Sequence, residues 1–292
     1  DRSGEIADSY AEKDSRLRVI HKPNGGVSSA RNEGLRNARG TYLIWLDGDD
    51  ILLPGSLSRL AAVISSRKEP DVIFQNYHIL MNGSVFPGTE YHFEHSLLES
   101  CDTDDALSYL FGTYPDFNWS ACMHIYRLKP ILANQIFFNE TMHMNEDGNW
   151  LVEVLLNART FAASDDSMYL YRMDVEGSSI HAGADLRTYR SSYTMYTRWF
   201  YYFKDVYQGT KAKQIMMGRL ARGYVNISTS IYDLPPEERK KAIAMFLEHK
   251  DIVPYTSKKS QKPFYPILKL LGTKPYLRAI HCAFRLKEKL KK

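Results

Sequence analysis

The spacing of apolar and polar positions changes repeatedly along the first half of the chain, and each change predicts an element. Residues 4–13 (GEIADSYAEK) predict a helix and 17–22 (LRVIHK) a short strand. A Gly pair then opens GGVSSARNEGLRNA (25–38), which predicts a helix. TYLIWLD (41–47) predicts a strand, LPGSLSRLAAVISSRK (53–68) a helix and DVIFQNYHIL (71–80) another strand. Strands and helices alternating over short connections indicate an α/β layer with mostly parallel strands. Ligands of such sheets bind beyond the carboxyl ends of the strands. The acids of DGDD (47–50) stand in that place.

The pattern then changes. MNGSVFPGTEYHFE (81–94) predicts a hairpin, with turn signals at Asn82-Gly83 and Pro87-Gly88. A short helix is expected over 104–112, a strand over 119–127, and an apolar-striped helix with acids at its start over 145–158. TFAASDDSMYLYRM (160–173) follows. Beyond residue 184 the pattern is helical: an aromatic-rich helix over 187–203, a second over roughly 211–232, and a third over 234–249. The third has proline in its entry turn and acids just inside, a helix-start signature. There is no internal repeat and no low-complexity segment.

Composition narrows the class. With 292 residues, 44% of them hydrophobic and 25% charged, the chain has the balance of a soluble globular protein. Cys101, Cys122 and Cys282 are far apart and form no CxxC pair, which fits buried thiols in a reducing compartment. No stretch has the apolar length to cross a bilayer, and the opening residues are polar, without a leader signature. The net charge of +4 is uneven: residues 258–292 carry +10 and the remainder −6. A mildly acidic body with a basic tail argues against a body-wide nucleic-acid surface.

Three carboxylates at the end of a buried strand repel one another, and a cation or a set of hydroxyls would resolve the conflict. A solvated Asp-Gly turn is the plain alternative. The neighbouring segments favour the cation. NGGVSSARN (24–32), a glycine turn entering a helix, precedes a strand ending in Asp-x-Asp. NED (145–147) comes later, with Trp150 three residues on, and then YLYRMDVEGSSIH (169–181). In this order the segments resemble the GT-A glycosyltransferases of family 2, over roughly residues 1–181. Each motif is weak alone and strong in the series.

The resemblance implies an incomplete GT-A domain, Rossmann-like with a mostly parallel sheet, over 1–181. A helical region (182–257) and a basic amphipathic tail (258–292) follow it. It implies an inverting enzyme that moves a sugar from a nucleotide-diphosphate donor to a carbohydrate or lipid-linked acceptor in bacterial polysaccharide assembly. Donor contacts fall to Gly26, Arg31, Asn32, Asp47 and Asp49. Asp49 with Asp47 would hold a divalent cation, Mn²⁺ or Mg²⁺, both of which favour oxygen ligands. Asp50 is divided between this site and a capping role. The transfer also needs a base for the acceptor hydroxyl, and Asp147, at a helix start beside Glu146, is the candidate. Trp119, Trp150 and Tyr126 are candidates for a sugar-stacking wall, with packing as their other role. His181 is a candidate diphosphate neighbour; His21, His124 and His143 show no metal-binding spacing.

The resemblance also places Asp1 just past the family's second strand, so the opening strand–turn–helix–strand with its nucleotide contacts is expected to be absent, and donor binding by these residues weak. In the tail, Leu277, Ile280, Phe284 and Leu290 fall on one helical side and Arg278, Arg285, Lys289 and Lys292 on the other. That pattern predicts a cytoplasmic protein lying against the anionic inner face of the membrane. Two rival functions stay open: a non-catalytic binding or scaffold protein, and a metal-dependent phosphohydrolase or nucleotidyltransferase using the same acids.

Overall fold

The computed structural model describes residues 2–66, 69–174 and 185–290. Among them, six strands build one sheet: β1 (Tyr42–Ile44), β2 (Ile51–Leu52), β3 (Val72–Met81), β4 (Ser84–Pro87), β5 (His124–Arg127) and β6 (Phe161–Arg172). Their order is β1-β5-β3-β6-β2, with β4 on the distal half of β3. At the centre, β3 and β6 pair in parallel from Val72↔Phe161 to Leu80↔Arg172. The other pairings are antiparallel, which corrects the expectation of a mostly parallel sheet. Two of these four pairings come from β5, which inserts between β1 and β3 and runs against both, and the others from the β3–β4 hairpin and the short β2 on β6. Hence β1, β3 and β6 share one direction, as strand–helix alternation requires, while β1 and β3 are not neighbours.

The continuous apolar run of β3 is buried on both faces. Ile73 meets Ile125, Ala162, Met168 and Leu60 on one side, while Val72 and Phe74 face the larger core. Leu60 belongs to the third of the helices α1 (Ser3–Ala11), α2 (Gly26–Asn37) and α3 (Ser56–Ser66). The predicted hairpin forms at Asn82 and Gly83, whose φ values of 52° and 73° give the left-handed turn that matches strand twist.

Residues 17–22 do not form the expected strand. A strand needs a neighbour for its amide and carbonyl groups, and no described strand lies alongside them. Leu17 and Ile20 accordingly stay 47% and 42% exposed. The other edge of β1 is likewise unpaired among the described residues.

Helices α4 (His95–Ser100), α5 (Thr103–Thr113), α6 (Leu128–Ala133) and α7 (Glu146–Asn157) flank the later strands. Beyond them come α8 (Leu186–Tyr201), α9 (Lys211–Ser228), α10 (Pro236–Glu248), α11 (Tyr265–Leu271) and α12 (Thr273–Lys289). One contiguous core runs from Leu35 of α2 to Ile280 of α12. The tail is therefore partly docked. Tyr276, Leu277 and Ile280 are buried against the body, and Tyr276 stacks on Phe246 at 5.7 Å. This corrects the face assigned to Leu277 and Ile280: their apolar surface is taken up by packing and is closed to a membrane.

Candidate active site

The acid loop is set by what lies on either side of it. Behind β1, Trp45 is buried edge-on to Phe138 at 5.4 Å and to Trp150 at 6.0 Å, which anchors the strand end. The chain then emerges at Leu46 and turns, with Asp50 N donating to Asp47 O at 3.1 Å. The Tyr169 hydroxyl donates to Asp50 Oδ2 at 2.5 Å and accepts from Asp47 N at 3.3 Å. Arg172 N donates to the other oxygen of Asp50 at 2.8 Å. Asp50 thus ties the loop to β6, and its pKa is raised, chiefly by burial. Asp49 is half-buried and makes no hydrogen bond or ion pair among the described residues. Of the three acids, Asp49 alone has a carboxylate with no such partner among the described residues.

Helix α2 supplies the group that links this loop to the rest of the site. Gly26 begins the helix at φ 83°, a conformation open to glycine at no steric cost. Its amide donates to Asn24 Oδ1 at 3.0 Å. The stripe Ser28, Arg31, Asn32, Leu35 turns inward. Arg31 is only 7% exposed. Its Nη1 donates to Asp147 Oδ1, and its Nη2 donates to Asp47 Oδ1 at 2.9 Å. The guanidinium lies over the Phe138 ring at 5.2 Å and the Trp45 ring at 5.9 Å. Burial opposes its charge, but Asp147 and Asp47 outweigh burial and its pKa is raised.

The structure gives Arg31 a bracing position between two acids of the site. Asn32 is corrected. Its amide donates to Phe138 O and Glu140 Oε1, both at 2.9 Å, and its oxygen accepts from Phe138 N at 2.8 Å. A side chain 2% exposed with both ends engaged holds the 138–140 segment and is closed to a donor.

Asp147 lies in the first turn of α7, which the chain enters through Asn145 in the left-handed region at φ 59°. Its Oδ2 accepts from Ser120 Oγ at 3.0 Å and from Ala121 N at 3.2 Å. With Arg31 on Oδ1, a carboxylate with about four lone-pair sites retains one there. Glu146 beside it has a raised pKa, first from burial and then from the charge of Asp147. The site thus brings Asp47, Arg31 and Asp147 into one chain of contacts, with Glu146 alongside and Asp49 in the facing loop.

The proposed aromatic wall does not form. Trp150 is fully buried, stacked on Phe138 at 4.7 Å, with Nε1 donating to Ile136 O at 3.2 Å. It cannot reach a sugar, because the apolar stripe of α7 turns it into the core. Tyr126 is buried too, its hydroxyl donating to Ala121 O at 2.9 Å. Trp119 is half-buried, packed on Phe111 at 4.8 Å and next to Ser120, so it alone of the three retains surface beside Asp147. His124 is buried in the core, where desolvation lowers its pKa to about 4 and keeps it neutral. His181 lies outside the described residues.

Sequence reasoning passed over Ser120 and Tyr169, which orient Asp147 and the acid loop. Tyr169 stood inside a motif already singled out, whereas Ser120 carried no signal. Among the described residues no three His, Cys, Asp or Glu side chains converge on a metal position. A Mg²⁺ ion is commonly held by one or two carboxylates and phosphate oxygens. Asp49 and the exposed side of Asp47, a side chain 40% accessible, fit that smaller demand.

Residues 1–120 match the family described as Glycosyl transferase family 2. The chain is 31% identical over 175 residues to EpsJ of Bacillus subtilis, an uncharacterized glycosyltransferase, covering 59% of this chain and 49% of that protein. It is 29% identical over 178 residues to the glycosyltransferase GlyG of Streptococcus pneumoniae, covering 59% and 57%. Against GgaB of Bacillus subtilis, a minor teichoic acid biosynthesis protein, it is 28% identical over 181 residues, covering 61% and 19%. The chain thus spans about half the length of the first two of these curated relatives. The crystal structure of S. aureus TarS 1–349 in complex with UDP-GlcNAc superposes with a TM-score of 0.73 at 18% identity, covering 98% of this chain and 80% of that one. That likeness shows the fold.

Proposed function

We propose, from the match of residues 1–120 to the family described as Glycosyl transferase family 2, that the chain transfers a sugar from a nucleoside-diphosphate donor to a carbohydrate or lipid-linked hydroxyl, with inversion, in building a polysaccharide or teichoic acid polymer. The observation that carries the reading is Arg31, buried between Asp47 of the strand-end loop and Asp147 of α7. It holds acids of the donor side next to a carboxylate able to accept a proton.

In the reaction the acceptor oxygen bonds to the anomeric carbon from the face opposite the leaving group. The bond from that carbon to the diphosphate oxygen breaks, and the electron pair leaves with the nucleoside diphosphate. The acceptor's proton passes to the open lone pair of Asp147 Oδ1. Ser120 Oγ and Ala121 N fix the plane of that carboxylate, so the lone pair keeps one direction. Glu146, next to Asp147 at the start of α7, can bind an acceptor hydroxyl. A divalent cation held by Asp49 and Asp47 would supply positive charge to the leaving diphosphate.

The test begins with UDP-GlcNAc, the ligand bound to TarS, in a panel of nucleotide-sugars titrated with Mn²⁺ and Mg²⁺. Asp49→Ala is expected to lower metal-dependent transfer at least about 100-fold with no change in melting temperature, because the carboxylate makes no hydrogen bond or ion pair among the described residues. Turnover like that of the wild type, at matched metal concentration, would remove Asp49 from the site. Cleavage of the donor within its diphosphate, leaving the sugar on phosphate, would favour the phosphohydrolase reading.

The reading extends to the membrane through α12. Pro275, Ala279, Cys282, Leu286 and Leu290 recur at three- and four-residue spacing along its outward side. Leu286 and Leu290 are 60% and 80% exposed, and Lys274 and Lys289 flank the stripe. No described helix is long and apolar enough to cross a bilayer. A basic-rimmed apolar stripe instead suits the surface of an anionic leaflet. Vesicles rich in phosphatidylglycerol are expected to float the protein at low salt, and Leu286→Glu with Leu290→Glu to abolish flotation. Equal flotation of both proteins would overturn the placement.

A further inference from the structure

Beside the N-terminus of α7 lies a cavity of about 490 Å³ that the reaction described above does not use. Its walls include Thr141 and His143 of the loop entering α7, Arg187, Arg190 and Ser191 of α8, and Glu238 of α10. Resting on the glycosyltransferase reading, we propose that this cavity is an acceptor subsite that binds a phosphate or phosphodiester group of the acceptor.

The first argument is the imbalance of donors and acceptors. Arg187 and Arg190 are three residues apart and so share one face of α8. Arg187 Nη2 donates to His143 Nδ1 at 2.8 Å, which leaves the ring proton on Nε2 and most of the guanidinium fork unused. Arg190 is exposed and has no hydrogen-bond or ion-pair partner among the described residues. The wall carries one acid, Glu238, whose Oε2 accepts from Leu186 N at 2.9 Å at the start of α8, so the two guanidinium charges outnumber its single negative charge. The cavity thus offers two guanidinium groups and an imidazole N–H against one carboxylate. A doubly oxygenated anion such as phosphate matches the arginine fork.

The second argument is position. His143 N donates to Ser191 Oγ at 3.0 Å, and Asn145 Nδ2 donates to Ser192 Oγ at 2.7 Å. These bonds fasten the loop leading to Asp147 onto the helix that carries the arginines. His143 and Asp147 are four positions apart in the chain, a span of at most roughly 14 Å. An acceptor seated by its phosphate in the cavity can therefore present a hydroxyl one or two units away to Asp147. The volume exceeds that of a lone phosphate and admits an adjoining sugar or polyol.

Two sources share this chemistry: a polymer linked by phosphodiesters and a lipid carrying a sugar diphosphate. Calorimetry with a short poly(glycerol phosphate), with a soluble short-chain prenyl diphosphate sugar, and with a neutral oligosaccharide separates them. Binding of one or both phosphate compounds at low salt, and not of the neutral one, is expected. Arg187→Gln with Arg190→Gln should raise the dissociation constant about tenfold or more, while UDP-GlcNAc affinity and melting temperature stay unchanged. Arg190→Gln alone removes no hydrogen bond or ion pair among the described residues and should give a smaller loss in the same direction. Affinity equal in wild type and double variant, or no discrimination against the neutral compound, would overturn the subsite. Arginine-dependent binding of the phosphate compounds by a protein that transfers no sugar would keep the subsite and refute the glycosyltransferase reading.

Discussion

Asp147→Asn is expected to lower turnover by about 10²–10⁴-fold, the range for losing a general base, with donor affinity preserved. The substitution keeps the size of the side chain and removes its ability to take the acceptor's proton. It also leaves a trace in the structure. The amide can still accept from Arg31 through its oxygen, but its NH₂ then replaces the oxygen that accepts from Ser120 Oγ and Ala121 N. The hydroxyl can turn to accept, whereas the Ala121 amide cannot, so about 1–3 kcal/mol of stability should be lost with it. Turnover at saturating donor and acceptor is the deciding measurement. A collapse of donor affinity with normal saturated turnover would make Asp147 a binding residue and leave the base unidentified.

How much of this was legible in the sequence depended on how local the cause was. The 3.6-residue stripe of α7 and the glycine entry of α2 are local, and both helices form close to their predicted bounds. The long apolar run of β3 is local as well. Residues 17–22 failed because alternation describes a strand's faces and says nothing of whether a neighbour arrives to pair with it. The parallel sheet failed for a related reason. Helical crossovers set the direction of β1, β3 and β6, but the insertion of β5 between two of them is a long-range event with no local mark.

The site divides in the same way. The acids at 47, 49 and 147 could be marked from motif and spacing, yet the bridge that Arg31 makes spans 16 residues to Asp47 and 116 to Asp147. Trp150 shows the opposite error. An aromatic three residues after the acid was read for its chemistry, although its place on the stripe of α7 directs it into the core. In the tail the same ambiguity applied to Leu277 and Ile280. One side of α12 packs on the body, and the side left outward is the stripe ending at Leu286 and Leu290.

Arg31→Gln is expected to cost about 3 kcal/mol of stability, toward the low end of the range for removing one member of a buried ion pair. The low end applies because Asp47 is 40% accessible and water can screen it, whereas Asp147 is only 20% accessible and loses its one charged partner. At about 2–4 °C per kcal/mol for a chain somewhat under this size, the melting temperature should fall by about 6 °C or more. The glutamine can donate to one acid but cannot bridge both, and it brings no charge to offset theirs. Arg31→Lys is the informative companion. It keeps the charge but offers a point donor in place of a fork, so it should recover part of the stability and less of the turnover. A melting temperature unchanged in Arg31→Gln, accompanied by loss of donor binding, would show that the guanidinium serves the nucleotide-sugar and that its bridge between Asp47 and Asp147 is incidental.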